Sequence, residues 1–279
     1  GLACNAANPD AVVRLYEAKG RPRFNPLIAH VASMEMAEQE AVFSPLARQI
    51  AAKFWPGPLT MVLPVAKTGT VSDIARAGLD TIALRMPAHP GALALLETFG
   101  KPLVAPSANR SGHVSPTTAS HVKEDLDGKV DLILDGGPCE RGIESTIVDF
   151  SGDQPRLLRA GALETAELEA ALGGTLEVRG EDDGISAPGQ LKSHYAPKAR
   201  LRLNADAPEP GEGWLAFGET PYPGLNLSEA GDLREAAKTL FAALRTLDTQ
   251  YDRIAVAAIP DDGLGEAIND RLARAAHRD

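Results

Sequence analysis

The stretch Lys19-Gly20-Arg21-Pro22-Arg23-Phe24-Asn25-Pro26-Leu27-Ile28-Ala29-His30 decides how the rest of the chain is read. Upstream of it, Asn8-Pro9-Asp10 reads as a helix start, with Asn as the N-cap and Pro at the first helical position. Val12, Leu15 and Tyr16 then fall on one apolar face, and Gly20 can end the helix. Downstream, Leu27-Ile28-Ala29 reads as a strand. Between helix and strand sit three cations within five residues, in a protein whose formal net charge is -10. Clustered cations repel one another unless an anion sits among them. A phosphate chain suits them, because the planar fork of an arginine matches phosphate oxygens. Positive charge at a helix C-terminus is favourable in any case, but that explains one cation better than three.

Working outward, a second helix starts at Ser44-Pro45, places Leu46, Ile50 and Phe54 on one face, and stops at Pro56-Gly57-Pro58. Strand-like runs follow at 59–65, 81–86, 102–105, 130–134, 145–150 and 156–159, with helical patterns at 91–99, 117–126 and 165–172. Strands mixed with helices without strict alternation predict an α/β or α+β sheet. From Gly173 to about Ala199 no periodic pattern survives, and residues 174–199 read as a linker, although Ser193-His194-Tyr195-Ala196-Pro197 within it is unlike a flexible spacer. Strand-like runs at 200–203, 214–217 and 254–259 and helices at 233–247 and 264–276 then predict a small α/β domain over 200–279, set apart from a larger domain over 1–173.

Composition narrows the function classes. Hydrophobic residues are 44% and charged residues 24% of the 279, the balance of a globular protein. Asp and Glu outnumber Lys and Arg by 38 to 28, which argues against a protein that coats nucleic acid. Two cysteines, Cys4 and Cys139, are too few for a disulfide framework and fit a reducing cytoplasm, the expected location. No apolar run approaches the ~20 residues of a membrane span. Gly1 is not an initiator methionine, so the sequence leaves an N-terminal signal open.

The polar constellations are individually weak. Ala105-Pro106-Ser107-Ala108-Asn109-Arg110-Ser111-Gly112, running on to Ser115-Pro116, can bring N–H groups and hydroxyls to an anion, or is simply a turn. In Thr81-Ile82-Ala83-Leu84-Arg85, residues Thr81, Ala83 and Arg85 share one face, and an arginine among apolar neighbours needs an internal or a ligand carboxylate. Arg159 poses the same question, and Glu144-Ser145-Thr146 opens a strand with three polar side chains. The six histidines show no zinc-ligand spacing, and neither a Walker A motif nor a G-x-G-x-x-G is present.

Taken in order, these pieces resemble the threonylcarbamoyl-AMP synthases, the YrdC-like family, in its longer two-domain form. The matching segments are Gly1-Leu2, Lys19-Gly20-Arg21-Pro22, Asn25-Pro26-Leu27-Ile28 with His30, Trp55-Pro56-Gly57-Pro58-Leu59-Thr60, Leu84-Arg85-Met86-Pro87, Ser107-Ala108-Asn109, Glu144-Ser145-Thr146-Ile147 and Arg159. His194-Tyr195-Ala196-Pro197 resembles the two-domain type specifically. The resemblance implies a twisted, open α/β sheet domain followed by a small Rossmann-like α/β domain. It implies an enzyme that joins L-threonine, bicarbonate and ATP into threonylcarbamoyl-adenylate and pyrophosphate, for modification of the adenosine beside the anticodon of certain tRNAs. Lys19 and Arg21 would be the catalytic cations on the triphosphate, with Asn25, Thr81, Ser107, Asn109, Ser115, Arg159 and Tyr195 at other ATP-contacting positions. His30, Arg85, Ala105 and Ser145 would hold L-threonine, Arg85 on its carboxylate. Magnesium would arrive with ATP rather than on a protein site, no cofactor would be permanently bound, and Tyr195 would close over the nucleotide as part of a lid. The partners implied are the substrates and the tRNA-modifying machinery, with at most weak direct tRNA contact and no membrane.

One departure from the family pattern is the strand before Gly1, with its Thr-Val-Tyr segment; a molecule truly lacking it is expected to have weak or no activity. Other readings carry their own expectations. An RNA-binding module of the same fold would bind tRNA in a salt-dependent way without consuming ATP. A carbamoyl-adenylate enzyme of hydrogenase maturation would carry zinc-finger-like cysteines, and a catalytically silent scaffold would show no turnover at all.

Overall fold

A computed structural model describes residues 1–178, 180, 187–189 and 193–278. In chain order the elements are β1 (Cys4–Asn5), α1 (Pro9–Lys19), β2 (Ile28–His30), α2 (Met34–Glu40), α3 (Pro45–Phe54), β3 (Leu59–Pro64), β4 (Thr81–Arg85), α4 (Pro90–Phe99), β5 (Leu103–Val104) and α5 (Ala119–Leu126). They continue as β6 (Thr146–Asp149), β7 (Arg156–Arg159), α6 (Thr165–Leu172), β8 (Glu177–Val178), β9 (Arg200–Arg202), β10 (Gly213–Ala216), β11 (Leu225–Asn226), α7 (Leu233–Asp248), β12 (Arg253–Val256) and α8 (Leu264–Ala276). The contacts divide the chain into two compact units, Gly1–Ala108 with Ser145–Gln190, and Asn109–Glu144 with Leu191–Asp279.

The first unit is built on a mixed eight-stranded sheet in the order β1-β5-β2-β4-β3-β6-β7-β8. Helix α1 forms as its caps direct: Asn8 accepts from the N–H groups of Asp10 and Ala11, and Gly20 ends the helix at φ 62°, a left-handed conformation that glycine adopts without strain. One face of the sheet carries the main core. Ala29, Met61, Leu63, Ile82, Leu84, Val148 and Leu157 point there and pack with Val12, Leu15 and Tyr16 of α1, Ile50 and Phe54 of α3, and Leu168 of α6. Strand alternation sends their neighbours to the opposite face. That face carries a much smaller apolar cluster of Val62, Ala83, Ile147, Leu158 and Ala187.

In the second unit, β11-β10-β12-β9 form a four-stranded sheet in which every pairing is parallel. A parallel sheet with helices following its strands is the small Rossmann-like domain implied above. Helix α7 buries Ala236, Ala237, Leu240, Phe241, Leu244 and Leu247, and α8 buries Ile268, Leu272 and Ala275, as 3.6-residue spacing requires.

The run 130–134, expected as a strand, forms none. Leu132 and Leu134 are 74% and 67% exposed, so its apolar residues have no sheet to pack on, and a strand without a pairing partner gains nothing from its propensity. Of the 174–199 segment read as a linker, residues 179, 181–186 and 190–192 lie outside the described residues. The rest includes packed chain: Val178 pairs in register with Leu157, and Ala187 and Tyr195 are buried. Among the described residues, no helix is long and apolar enough to cross a membrane.

Candidate active site

The polar face of the eight-stranded sheet is set by register. The parallel pair β2–β4 places His30 directly beside Arg85 and Ile28 beside Ala83. The antiparallel pair β3–β4 sets Val62 opposite Ala83, which puts Thr60 on the same face. The parallel pair β3–β6 sets Thr60 beside Ile147, and Ile147 in turn pairs with Arg159 of β7. His30, Arg85, Thr81, Thr60 and Ser145 thus share one face because the alternation of four strands agrees, and a register shift in the pairing of β6 with β7 sets Arg159 beside Ile147 on that face although Leu157, two residues earlier, faces the core.

Hydrogen bonds fix several of these side chains. Arg85 Nε donates to the carbonyl of Gly57 at 3.0 Å, and the N–H of Gly57 donates to Met86 O at 2.9 Å. A Cβ on Gly57 would lie 2.1 Å from the carbonyl oxygen of Phe54, so glycine is required in this brace. Ser145, 2% exposed, shares a 2.7 Å hydrogen bond between its Oγ and Thr60 Oγ1. Arg159 donates through Nε and Nη2 to Ser145 O at 3.2 and 2.8 Å, and through Nη1 to Pro188 O at 3.3 Å.

The cation cluster resolves into two kinds of residue. Lys19 and Arg21 are buried, whereas Arg23 is exposed. Lys19 Nζ donates to Ser107 O at 2.5 Å, which joins the end of α1 to the loop after β5. Arg21 donates through Nε to Asn25 O at 3.3 Å and through Nη2 to Pro26 O at 3.0 Å, and Tyr16 Oη donates to the same Asn25 O at 3.0 Å. The loop leading to β2 is therefore wrapped around the guanidinium of Arg21. Ala105 donates its N–H to Ile28 O at 3.2 Å, so the backbone group it can offer a ligand is its carbonyl.

Two buried polar atoms, Asn25 Oδ1 and His30 Nδ1, make no hydrogen bond within the protein. Such orphans call for an explanation, and a ligand group is one. Burial foremost, and then the guanidinium of Arg85, pushes the His30 imidazole down to about 3, with the carbonyls of Ile28 and Leu103 pulling the other way. The ring is neutral at physiological pH.

The remaining expected residues lie in the second unit. Asn109 donates its amide nitrogen to Arg110 O at 2.9 Å and His113 O at 2.7 Å, bracing its own loop. Ser115 Oγ donates to Glu144 Oε1 at 2.8 Å, and Glu144 Oε2 accepts from Arg271 Nε at 2.9 Å. Tyr195, at φ 60°, is 1% exposed and stacks on Phe241 with ring centroids 5.4 Å apart. Lys19, Arg21, Asn25, His30, Thr81, Arg85, Ala105, Ser107, Ser145 and Arg159 belong to the first unit, and Asn109, Ser115 and Tyr195 to the second.

Sequence reasoning did not select Thr60, Tyr16, Glu144 or Arg271 as site residues. Thr60 and Glu144 lie inside quoted motifs and were within reach. Tyr16 reads as one more apolar position of α1, and Arg271 as one more charged residue of an amphipathic helix. Among the described residues no group of three or more His, Cys, Asp or Glu is placed to hold a metal ion.

Residues 1–161 match the family described as "Telomere recombination", and residues 163–277 match "Threonylcarbamoyl-AMP synthase, C-terminal domain". The threonylcarbamoyl-AMP synthase of Pyrococcus abyssi is 42% identical over 99% of this chain and 87% of its own length. That of Bacillus subtilis is 40% identical over 99% and 86%. Among solved structures, P. abyssi Sua5 complexed with L-threonine superposes with a TM-score of 0.90 at 39% identity, covering 98% of this chain and 86% of that one.

Proposed function

The chain belongs to the family of threonylcarbamoyl-AMP synthases, and on that premise we propose how its residues divide the work. The activity is synthesis of threonylcarbamoyl-AMP, with L-threonine as the amino-acid substrate. The threonine amine takes up bicarbonate with loss of water and becomes an N-carboxylate. An oxygen of that carboxylate attacks the α-phosphorus of ATP; the new O–P bond forms as the bond to the β-phosphate oxygen breaks, and pyrophosphate leaves. Two anions must meet, so fixed cations are needed to offset their repulsion.

Lys19 and Arg21 supply those cations to the triphosphate. Their burial and their hydrogen bonds to backbone carbonyls hold them in place before substrate arrives, so little reorganisation is needed in the transition state. ATP enters as its magnesium complex, the metal carried by the phosphates. Asn25, Thr81, Ser107 and Arg159 of the first unit contact the nucleotide, with Asn25 Oδ1 gaining from it the partner it lacks in the protein. Arg85 takes the threonine carboxylate with the donors of its fork, while its Nε stays on Gly57. His30, Ser145 and the carbonyl of Ala105 surround the rest of the amino acid. A neutral imidazole there accepts a hydrogen bond without adding a second positive charge beside the threonine ammonium.

The product, a mixed anhydride of a carbamate and AMP, is passed to the machinery that modifies tRNA, in the cytoplasm. The observations that carry this reading are the register that sets His30 beside Arg85 and, separately, the buried Lys19 held on the carbonyl of Ser107. Pyrophosphate release from ATP and bicarbonate tests it. L-threonine should stimulate release more than other amino acids do. Lys19→Ala and Arg21→Ala should chiefly impair ATP use, and Arg85→Ala threonine use. Equal effects of all three on both substrates would contradict this division.

A further inference from the structure

Thr60 of β3 is 0% exposed, and the proposed chemistry does not use it. Its place is set by two neighbouring strands: parallel pairing with β6 puts it beside Ile147, and antiparallel pairing with β4 sets Val62, two residues on, opposite Ala83. Held in this way, a β-branched side chain leaves its hydroxyl few directions to take. Ser145 stands just before β6, in the same unit, and is 2% exposed. The next residue, Thr146, donates its N–H to Pro58 O at 3.0 Å and its hydroxyl to Leu163 O at 2.5 Å. Thr146 thus faces the core side, and strand alternation turns Ser145 to the polar side. Among the described residues the two hydroxyls take part in two hydrogen bonds. One is the 2.7 Å contact between Thr60 Oγ1 and Ser145 Oγ, and the other is a donation from Arg159 Nη2 to Ser145 Oγ at 3.3 Å.

Two hydroxyls carry two protons, and the bond between them uses one. The second proton has no acceptor among the described residues although both side chains are buried, and a buried donor left without an acceptor is costly. The count also says what kind of ligand group relieves that cost. If a ligand donated to Ser145, as an ammonium would, the serine oxygen would accept from the ligand and from Arg159, and its own proton would go to Thr60. The Thr60 proton would then be stranded on a side chain that solvent does not reach. If a ligand oxygen accepts from Ser145, Thr60 donates to Ser145, Arg159 fills the other acceptor site of the serine, and both protons are used. We propose that Thr60 is a positioning residue: by donating to Ser145 it makes that serine a donor toward an oxygen of the amino-acid substrate rather than an acceptor for its ammonium. Hydrogen bonds in series polarise one another, so the bond to the substrate is strengthened by the one behind it. With the substrate carboxylate on Arg85, the oxygens that remain are the threonine hydroxyl and, once bicarbonate has reacted, the N-carboxylate.

The inference rests on the reading of Ser145 as an amino-acid contact, and a double-mutant cycle separates the two. KM values for L-threonine, bicarbonate and ATP are measured by pyrophosphate release for wild type, Thr60→Val, Thr60→Ser, Ser145→Ala and the Thr60→Val/Ser145→Ala double variant, with thermal unfolding of each. Valine matches the shape of threonine without the hydroxyl, so Thr60→Val should raise KM for the acceptor-bearing substrate ~5–10-fold and leave KM for ATP within about twofold. Thr60→Ser, which keeps the donor, should stay within about twofold of wild type throughout. In the Ser145→Ala background Thr60→Val should add little. L-2-aminobutyrate, which is threonine without its hydroxyl, distinguishes the two oxygens. An effect of Thr60→Val that vanishes with it assigns the threonine hydroxyl, and one that persists and extends to KM for bicarbonate assigns the N-carboxylate. Thr60→Ala serves if Thr60→Val fails to fold. Unchanged kinetics of Thr60→Val beside a raised KM for threonine in Ser145→Ala would overturn the proposal and leave the role of Ser145 standing. Additive effects of the two changes, a Thr60→Ser variant as impaired as Thr60→Val, or equal losses for ATP and threonine that track the fall in melting temperature would also overturn it. Ser145→Ala with unchanged KM for threonine and bicarbonate would overturn the reading of Ser145 and the inference with it.

Discussion

Acidifying the protein from pH 7.5 to pH 5 should cost the first unit stability through His30. In the unfolded chain its imidazole takes up a proton near 6.5, and in the native state it does so only at about 3. Below 6.5 the unfolded state therefore binds the extra proton, and stability that is complete above 6.5 is lost as pH falls toward 3. At pH 5, about 1.5 pH units below the unfolded value, the loss reaches about 2 kcal/mol at ~1.4 kcal/mol per unit. The figure is an upper one, since His30 is half-buried rather than sealed. For a unit of this size it corresponds to a fall in Tm of about 4–8 °C. The assay is thermal unfolding of wild type and His30→Met at both pH values, without substrates. His113 and His121, also lowered chiefly by burial, belong to the second unit and contribute alike to both proteins. The variant should lose less stability on acidification by about the stated amount. Equal losses in the two proteins would refute the claim that a half-buried, neutral imidazole stands beside Arg85.

Other perturbations separate the groups of the site. Arg85→Ala should raise KM for L-threonine by ~10–100-fold with little change in KM for ATP, through loss of a charge-assisted contact; steady-state kinetics with each substrate varied in turn checks this. Lys19→Met should lower kcat by ~100-fold, the usual effect of removing one fixed donor from a developing charge; single-turnover pyrophosphate release reads it directly. Tyr16→Phe removes a buried hydroxyl from Asn25 O, which retains Arg21 Nε, and should destabilise the first unit by about 1 kcal/mol. Denaturant unfolding measures that loss, and an unchanged midpoint would mean the hydroxyl does not brace the loop.

Much of the fold was legible because local rules and tertiary contacts agree. Asn8, Pro9 and Gly20 bound α1 in both sequence and structure. The alternation Thr81, Ala83, Arg85 puts the arginine on the face opposite the core, as strand geometry demands. The site was legible only in pieces. Arg85 could be seen to need an anion, but nothing local reveals that His30 stands next to it, because register depends on which strands pair. The three clustered cations could not be told apart, and burial singles out Lys19 and Arg21 while leaving Arg23 in solvent. The association of residues 109–144 with α7 and α8 includes hydrogen bonds from Arg245 and Arg271, which are separated from their partners by more than a hundred residues and leave no periodic trace. The run 130–134 misled for the converse reason: apolar composition marks strand propensity, and only a neighbouring edge turns it into a strand.

Isotopically labelled bicarbonate tests the central claim most directly. Incubated with ATP, magnesium and L-threonine, the protein should yield a threonylcarbamoyl-adenylate carrying the label in its carbamoyl carbon, in amounts equal to the pyrophosphate released, and Lys19→Ala together with Arg85→Ala should abolish it. Pyrophosphate without a labelled adenylate, or label incorporated equally by the double variant, would contradict the assignment of this chemistry to the polar face of the eight-stranded sheet.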